Sequence, residues 1–160
     1  MTSTRLPDIH NDPSKIQLER IAHVYFEHPD LDRFHSFAED FGFIEAYRDQ
    51  DVILYSGYGK DPYCYVNRKS PSGSQSFGGG AFIAQTQADF DKAASLDGAL
   101  ISDLSQFPGG GRRVTLTSPS GFSIHVLYGQ EERAPVESVP SAQVETSGPL
   151  NGSLVKRRLG

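Results

Sequence analysis

"IAHVYFEHPDLDRFHSFAEDFGF", residues 21–43, changes its hydrophobic period halfway along, and that change decides the fold. Up to Phe26 the residues alternate as a strand does, with Ala22, Val24 and Phe26 on one side and Ile21, His23 and Tyr25 on the other. Beyond Pro29 the apolar residues Leu31, Phe34, Phe37, Ala38 and Phe41 recur at helical spacing and form one stripe. Pro29 or Asp30 stands where an N-cap belongs, and Gly42 is placed to stop the helix. Three short strands are expected next, near 43–48, 52–57 and 63–68, with Asp49-Gln50-Asp51 and Gly59-Lys60-Asp61-Pro62 as turns.

The same order returns further on. Gly80–Ala84 reads as a strand and Ala88–Ala94 as a helix. A short strand is expected near 99–105, and then Arg112–Thr117 and Phe122–Tyr128 form a hairpin closed by Pro119-Ser120-Gly121. A Ser/Gly/Pro connector, residues 70–76, lies between the halves. The expected architecture is α+β. Two βαβββ modules, about 18–68 and 78–130, form a half-open curved sheet with helices on its outer face. Residues 1–17 read as a flexible N-terminal arm and 131–160 as a linker or tail.

Composition narrows the class of function. No stretch approaches the roughly 18 apolar residues of a membrane span, and the polar N-terminus is no secretory signal. A net charge of −5 supplies no broad basic field, so neither nucleic acid nor a membrane is an expected partner. Cys64 is the only cysteine, which rules out an intrachain disulfide and a cysteine-based zinc site; a cytoplasmic location is expected. The Gly78–Gly80 and Gly109–Gly111 runs open no helix in a phosphate-binding pattern and read as tight strand entries.

Three stretches together resemble the vicinal oxygen chelate superfamily, which includes glyoxalase I, bleomycin-resistance proteins and extradiol dioxygenases. They are residues 21–43, "GGAFIAQTQADFDKA" (79–93) and "GGGRRVTLTSPSGFSIHVLYG" (109–129). The likeness is strongest to the N-terminal two-module domain of an extradiol ring-cleaving dioxygenase. The tail "GPLNGSLVKRRLG" (148–160) is similar to the linker that precedes a second, iron-holding pair of modules in such proteins. The resemblance implies Fe(II) or another divalent metal, cleavage of a catechol-type ring, a small aromatic ligand and a homodimer. It also leaves open a metal-free binding or dimerisation module of the bleomycin-resistance type.

Strand alternation in a curved sheet sorts the candidates. Ile21, His23 and Tyr25 face the cleft, as do Tyr63, Tyr65 and Asn67, Arg113, Thr115 and Thr117, and Ser123, His125 and Leu127. The resemblance makes His23 the opening metal ligand of the first half, and puts His125 where a carboxylate commonly closes the second. Gly79 falls at the second-half opening position, where it can offer no side chain. An O₂-activating iron usually takes two histidines and a carboxylate, and no carboxylate clearly joins this pair; Glu45 matches no motif position. His23 and His125 are therefore candidate metal ligands of an incomplete site, or else two polar residues lining a pocket. Tyr55, Tyr63 and Tyr65 are candidates to stack on an aromatic substrate, with Tyr65 the candidate catalytic assistant. Asn67, Arg113 and Thr115 complete the expected substrate-binding set, Arg113 as a partner for an anion with Arg112 facing away. His28 and His35 read as surface groups.

Overall fold

The structure, a computed structural model, describes residues 10–136. Leu18–His28 is β1 and Leu31–Phe41 is α1, followed by β2 (Ile44–Arg48), β3 (Val52–Ser56) and β4 (Tyr65–Lys69). The second module repeats the order with β5 (Ser76–Ala84), α2 (Gln87–Ala94), β6 (Leu100–Asp103), β7 (Arg112–Thr117) and β8 (Ser123–Tyr128). All eight strands join one sheet in the order β2-β3-β4-β1-β5-β8-β7-β6. Read outward from the centre, each half has its first strand, then its fourth, third and second. The first and fourth strands run parallel in both halves, and β1 and β5 pair antiparallel at the seam. The two-module α+β architecture expected from the sequence is present, including the short β6.

Local chemistry sets the helix ends. Asp30 is the N-cap of α1 and its carboxylate accepts from Arg33 N at 2.9 Å, while Gly42 closes the helix with φ +97°. Thr86 caps α2, where its hydroxyl bonds Asp89 in both directions, accepting from the Asp89 backbone N and donating to the carboxylate. The aromatic stripe of α1 is less buried than its period predicts. Ala38 is fully buried, but Phe37 and Phe41 are 56 % and 70 % exposed. Leu31, Phe34 and Ala38 are the helix residues that meet the sheet, packing with Ile53, Tyr55, Phe43 and Tyr65, while Phe37 and Phe41 take no part in that cluster. Phe122 and Ile124 likewise stand on the outer face without reaching under α2, which packs on Val114 and Val126 through Phe90 and Ala93.

The largest apolar cluster lies in the concavity of the sheet, not under a helix. Tyr25, Leu54, Tyr63, Val66, Leu104 and Leu127 meet there from both modules. The sheet curls far enough for Tyr47 of β2 to meet Phe107, beyond β6, edge to face with ring centroids 5.2 Å apart. The chain flanking the sheet is tied down at its described ends. Gln17 N donates to Asp89, and Lys92 Nζ to the Pro13 and Lys15 carbonyls. On the other side Arg133 bonds the Gly57 and Asp61 carbonyls. Most of the tail expected from the sequence, and the motif at 148–160, lies outside the described residues. Among the described residues no helix is long and apolar enough to cross a membrane.

Candidate functional site

The seam of the two modules carries the only histidines of the concavity among the described residues. His23 on β1 pairs with Ala81 of β5, and His125 on β8 with Ala81 from the other side, so one alanine separates the two in the sheet. Both are 2 % exposed. Tyr25 lies between them, its ring centroid 5.0 Å from His23 and 4.4 Å from His125. Its hydroxyl accepts from Arg113 Nη1 at 3.0 Å and shares its remaining hydrogen bond with His23 Nε2, also at 3.0 Å.

His125 is held at both nitrogens. Nε2 is 2.8 Å from the Gly78 carbonyl and Nδ1 is 2.9 Å from Thr115 Oγ1. A carbonyl can only accept, so Nε2 carries the proton and Nδ1 accepts from the threonine hydroxyl. Gly79 makes this possible, since φ +108° is open to glycine and turns the Gly78–Gly79 peptide toward the ring. Burial lowers the His23 pKa to about 3, helped by the positive fields of His125 and Arg113. Burial lowers that of His125 to about 4, against the Gly78 bond, which raises it, with Arg113 and Arg68 lowering it further. Both rings are neutral near pH 7.

The residues present do not fit a resident divalent metal. The one lone pair of neutral His125 is used by Thr115 and His23 Nε2 is taken up by Tyr25, which leaves His23 Nδ1 as the single unpartnered imidazole nitrogen of the pair, one donor where a divalent ion needs three or more. Arg68 and Arg113 put positive charge where a metal ion would add more. Among the described residues no group of three or more His, Cys, Asp or Glu side chains is placed to share an ion. Glu45 is no substitute, because it pairs with Arg48 outside the concavity. Nor can the Gly79 position be restored, because a Cβ there would collide with the Ser123 carbonyl of β8 and reach 3.0 Å from His125 Nε2.

A cavity of about 350 Å³ opens beside this cluster. Tyr63 and Leu54 line its apolar wall with Val66 and Phe107, and Arg68, Arg113 and Ser102 line its polar wall. Of the residues expected in the cleft, His23, Tyr25, Tyr63, Arg113, Thr115, His125 and Leu127 are on the concave face. Arg112 faces away, its guanidinium 4.7 Å over the Phe90 ring. Tyr55, Tyr65 and Asn67 are not there, and this corrects the expectation. Tyr55 and Tyr65 pack beneath α1, and Asn67 shares their face as the β-partner of Ile53. A bend at Cys64 breaks the alternation between Tyr63 and Tyr65, so residues two apart point to opposite faces. Tyr65 instead bonds His28 Nε2 through its hydroxyl at 3.0 Å, and Tyr55 bonds His35 Nδ1 at 3.2 Å. His28 is thus a buried group, contrary to its reading as a surface one. Ile21 also leaves the cleft. The pairing jumps from Ile21–Phe82 to His23–Ala81, Ala22 is left unmatched, and Ile21 turns out to solvent at 53 % exposure. Arg68 and Ser102 were missed; alternation with Val66 places Arg68 correctly once the Cys64 bend resets the count.

This architecture, two βαβββ modules sharing a curled sheet with β1 and β5 at the seam, is the vicinal oxygen chelate fold. Among solved structures it is similar to the Mn(II)-bound glyoxalase from Novosphingobium aromaticivorans, with a TM-score of 0.66 and 18% identity over 78% of this chain and 44% of that one. It is similar too to homoprotocatechuate 2,3-dioxygenase from Brevibacterium fuscum, solved with 3,4-dihydroxyphenylacetate, with a TM-score of 0.63 and 20% identity over 81% of this chain and 42% of that one. The chain thus spans about two fifths of the length of either neighbour, and at these identities the likeness is one of fold. No family model matches the sequence, and no curated protein matches it significantly.

Proposed function

We propose that this chain is a metal-free, small-molecule-binding pair of vicinal-oxygen-chelate modules. In this reading the chelating corner of the fold has been rebuilt as a hydrogen-bonded floor. The observation that carries it is the saturation of His125 by Thr115 and Gly78, beside a His23 engaged by Tyr25. A site built to bind a metal leaves several nitrogen lone pairs converging on an open point; here both His125 nitrogens and His23 Nε2 are engaged within the protein, and only His23 Nδ1 is buried without a partner. The glyoxalase or dioxygenase activity named for the neighbours is not assigned to these side chains. What remains is a cavity near the lower end of the usual ligand-site range, with an aromatic wall and a few polar groups.

The test is metal loading with catechol turnover. The chain is purified anaerobically, incubated with Fe(II) or Mn(II), desalted, and assayed for bound metal and for the yellow ring-opened product. The reading expects less than about a tenth of an equivalent retained and no turnover. Stoichiometric retention abolished by His23→Gln or His125→Gln would overturn it.

A further inference from the structure

Arg113 and Arg68 are the cations of the concave face, and their surroundings are incomplete. Their guanidinium groups lie 5.3 and 5.2 Å from the centroid of the same Tyr25 ring. Arg113 donates to the Tyr25 hydroxyl and, at 3.3 Å, to Ser102 Oγ; among the described residues no carboxylate lies within 4.0 Å of it. Arg68 has only Glu27, at 3.7 Å and beyond hydrogen-bond distance. The Nε of each arginine is buried without a partner. Two like charges beside one aromatic ring, with donors to spare, are an arrangement that a bound anion completes.

The acids nearby do not fill that role. Asp49, Asp51 and Asp103 also line the cavity, but all three are exposed to solvent, which screens their charge, and none lies within 4.0 Å of either arginine. Asp49 accepts from the Asp51 and Val52 backbone N–H groups and from Tyr47, and Asp103 accepts from Ser105 N, so both are engaged in holding turns. The neutral His23 and His125 add no negative charge from the floor. The same lining carries an apolar and aromatic part, formed by Tyr63, Leu54, Val66 and Phe107.

We infer that the cavity binds a small aromatic carboxylate, its carboxylate on the Arg113 guanidinium beside Ser102, with Arg68 adding positive charge to the same lining, and its ring against Tyr63 and Phe107. This rests on the small-molecule-binding reading above and names the ligand class for it. A planar carboxylate matches the guanidinium fork, and the apolar wall discriminates against inorganic anions, which have nothing to place there.

The experiment titrates the full chain with benzoate and, separately, with the neutral isostere benzamide, following arginine Nε–H and aromatic signals by NMR. The expected result is saturable shifts at Arg113 and Arg68 with benzoate, and binding at least about tenfold tighter than benzamide. Arg113→Gln should bring benzoate down to the benzamide level, while Arg112→Gln, an equal charge loss on the outer face, should leave it unchanged. The benzoate-to-benzamide ratio needs no variant, so a misfolded Arg113→Gln does not spare the inference. Equal binding of the two probes at the cavity would overturn the anion assignment and leave the small-molecule reading standing. An absence of saturable shifts at cavity residues with either probe would overturn both.

Discussion

Acidification acts on the seam of the two modules more directly than any substitution. In the folded chain His23 titrates near 3 and His125 near 4. In the unfolded chain both titrate near the ordinary value of about 6.5. Above that pH both states hold the rings neutral and the pair contributes no pH dependence. As the pH falls below it, the unfolded chain takes up two protons that the folded chain refuses. Stability then drops by about 1.4 kcal/mol per pH unit for each histidine, or about 2.7 kcal/mol for the pair, until the pH reaches the folded values. Between pH 7 and pH 5 the loss comes to about 3–4 kcal/mol, a large share of the ~5–15 kcal/mol typical of a domain. His28, lowered by burial, works in the same direction. Asp89, held down to about 2 chiefly by Thr86, acts in a separate window, since its contribution is full above its ordinary value and is lost as the pH falls toward 2. Urea unfolding followed by circular dichroism at half-unit steps from pH 7.5 to 4.5 measures the slope. His125→Gln, which keeps a donor for Gly78 and an acceptor for Thr115, should reduce it by roughly one proton's worth. A stability that is flat from pH 6.5 to 5, or histidine signals titrating near 6.5 in the folded protein, would refute the buried neutral pair.

Other perturbations probe the same framework. Tyr25→Phe removes the acceptor of Arg113 and the partner of His23, leaving two nitrogens unpaired; a loss of about 2–4 kcal/mol is expected, read as a lower urea midpoint at unchanged slope. Gly79→Ala puts a Cβ into the Ser123 carbonyl at a backbone angle that favours glycine, and should cost about 3 kcal/mol or more; a variant melting with the parent would contradict the close β5–β8 approach. Asp30→Ala removes the α1 cap and should lower stability by about 1 kcal/mol, a shift of roughly 3–5 °C in the melting temperature.

Much of this molecule is legible in the chain because its signals are local. The switch of period at Pro29, the caps Asp30 and Gly42, and the repeat of strand, helix and hairpin fix two modules without any long-range information. Alternation on β7 and β8 places Arg113, Thr115, His125 and Leu127 correctly because that hairpin is regular along its length. It fails where the backbone departs from period two. The bulge at Ala22 releases Ile21, and the bend at Cys64 sends Tyr65 and Asn67 beneath α1; neither position carries a glycine or proline to signal it. Tyr55 follows Val52, Ile53 and Leu54, a run apolar at every position, so alternation alone does not say which face it takes. The sequence also shows two histidines in one cleft and a glycine at a ligand position, but not what satisfies the rings. Thr115, the Gly78 carbonyl and the Tyr25 hydroxyl become partners only through the β1–β5 and β5–β8 pairings.

The central claim is that His23 and His125 are structural, hydrogen-bonded groups and not ligands. Titration of Mn(II) into the folded chain at neutral pH, watched through the ring-nitrogen correlations of the histidines, tests it most directly. The account predicts that the His23 and His125 signals keep their positions and widths while exposed acidic sites show only weak, unsaturable broadening. Selective loss of both signals at one equivalent of Mn(II) would contradict it.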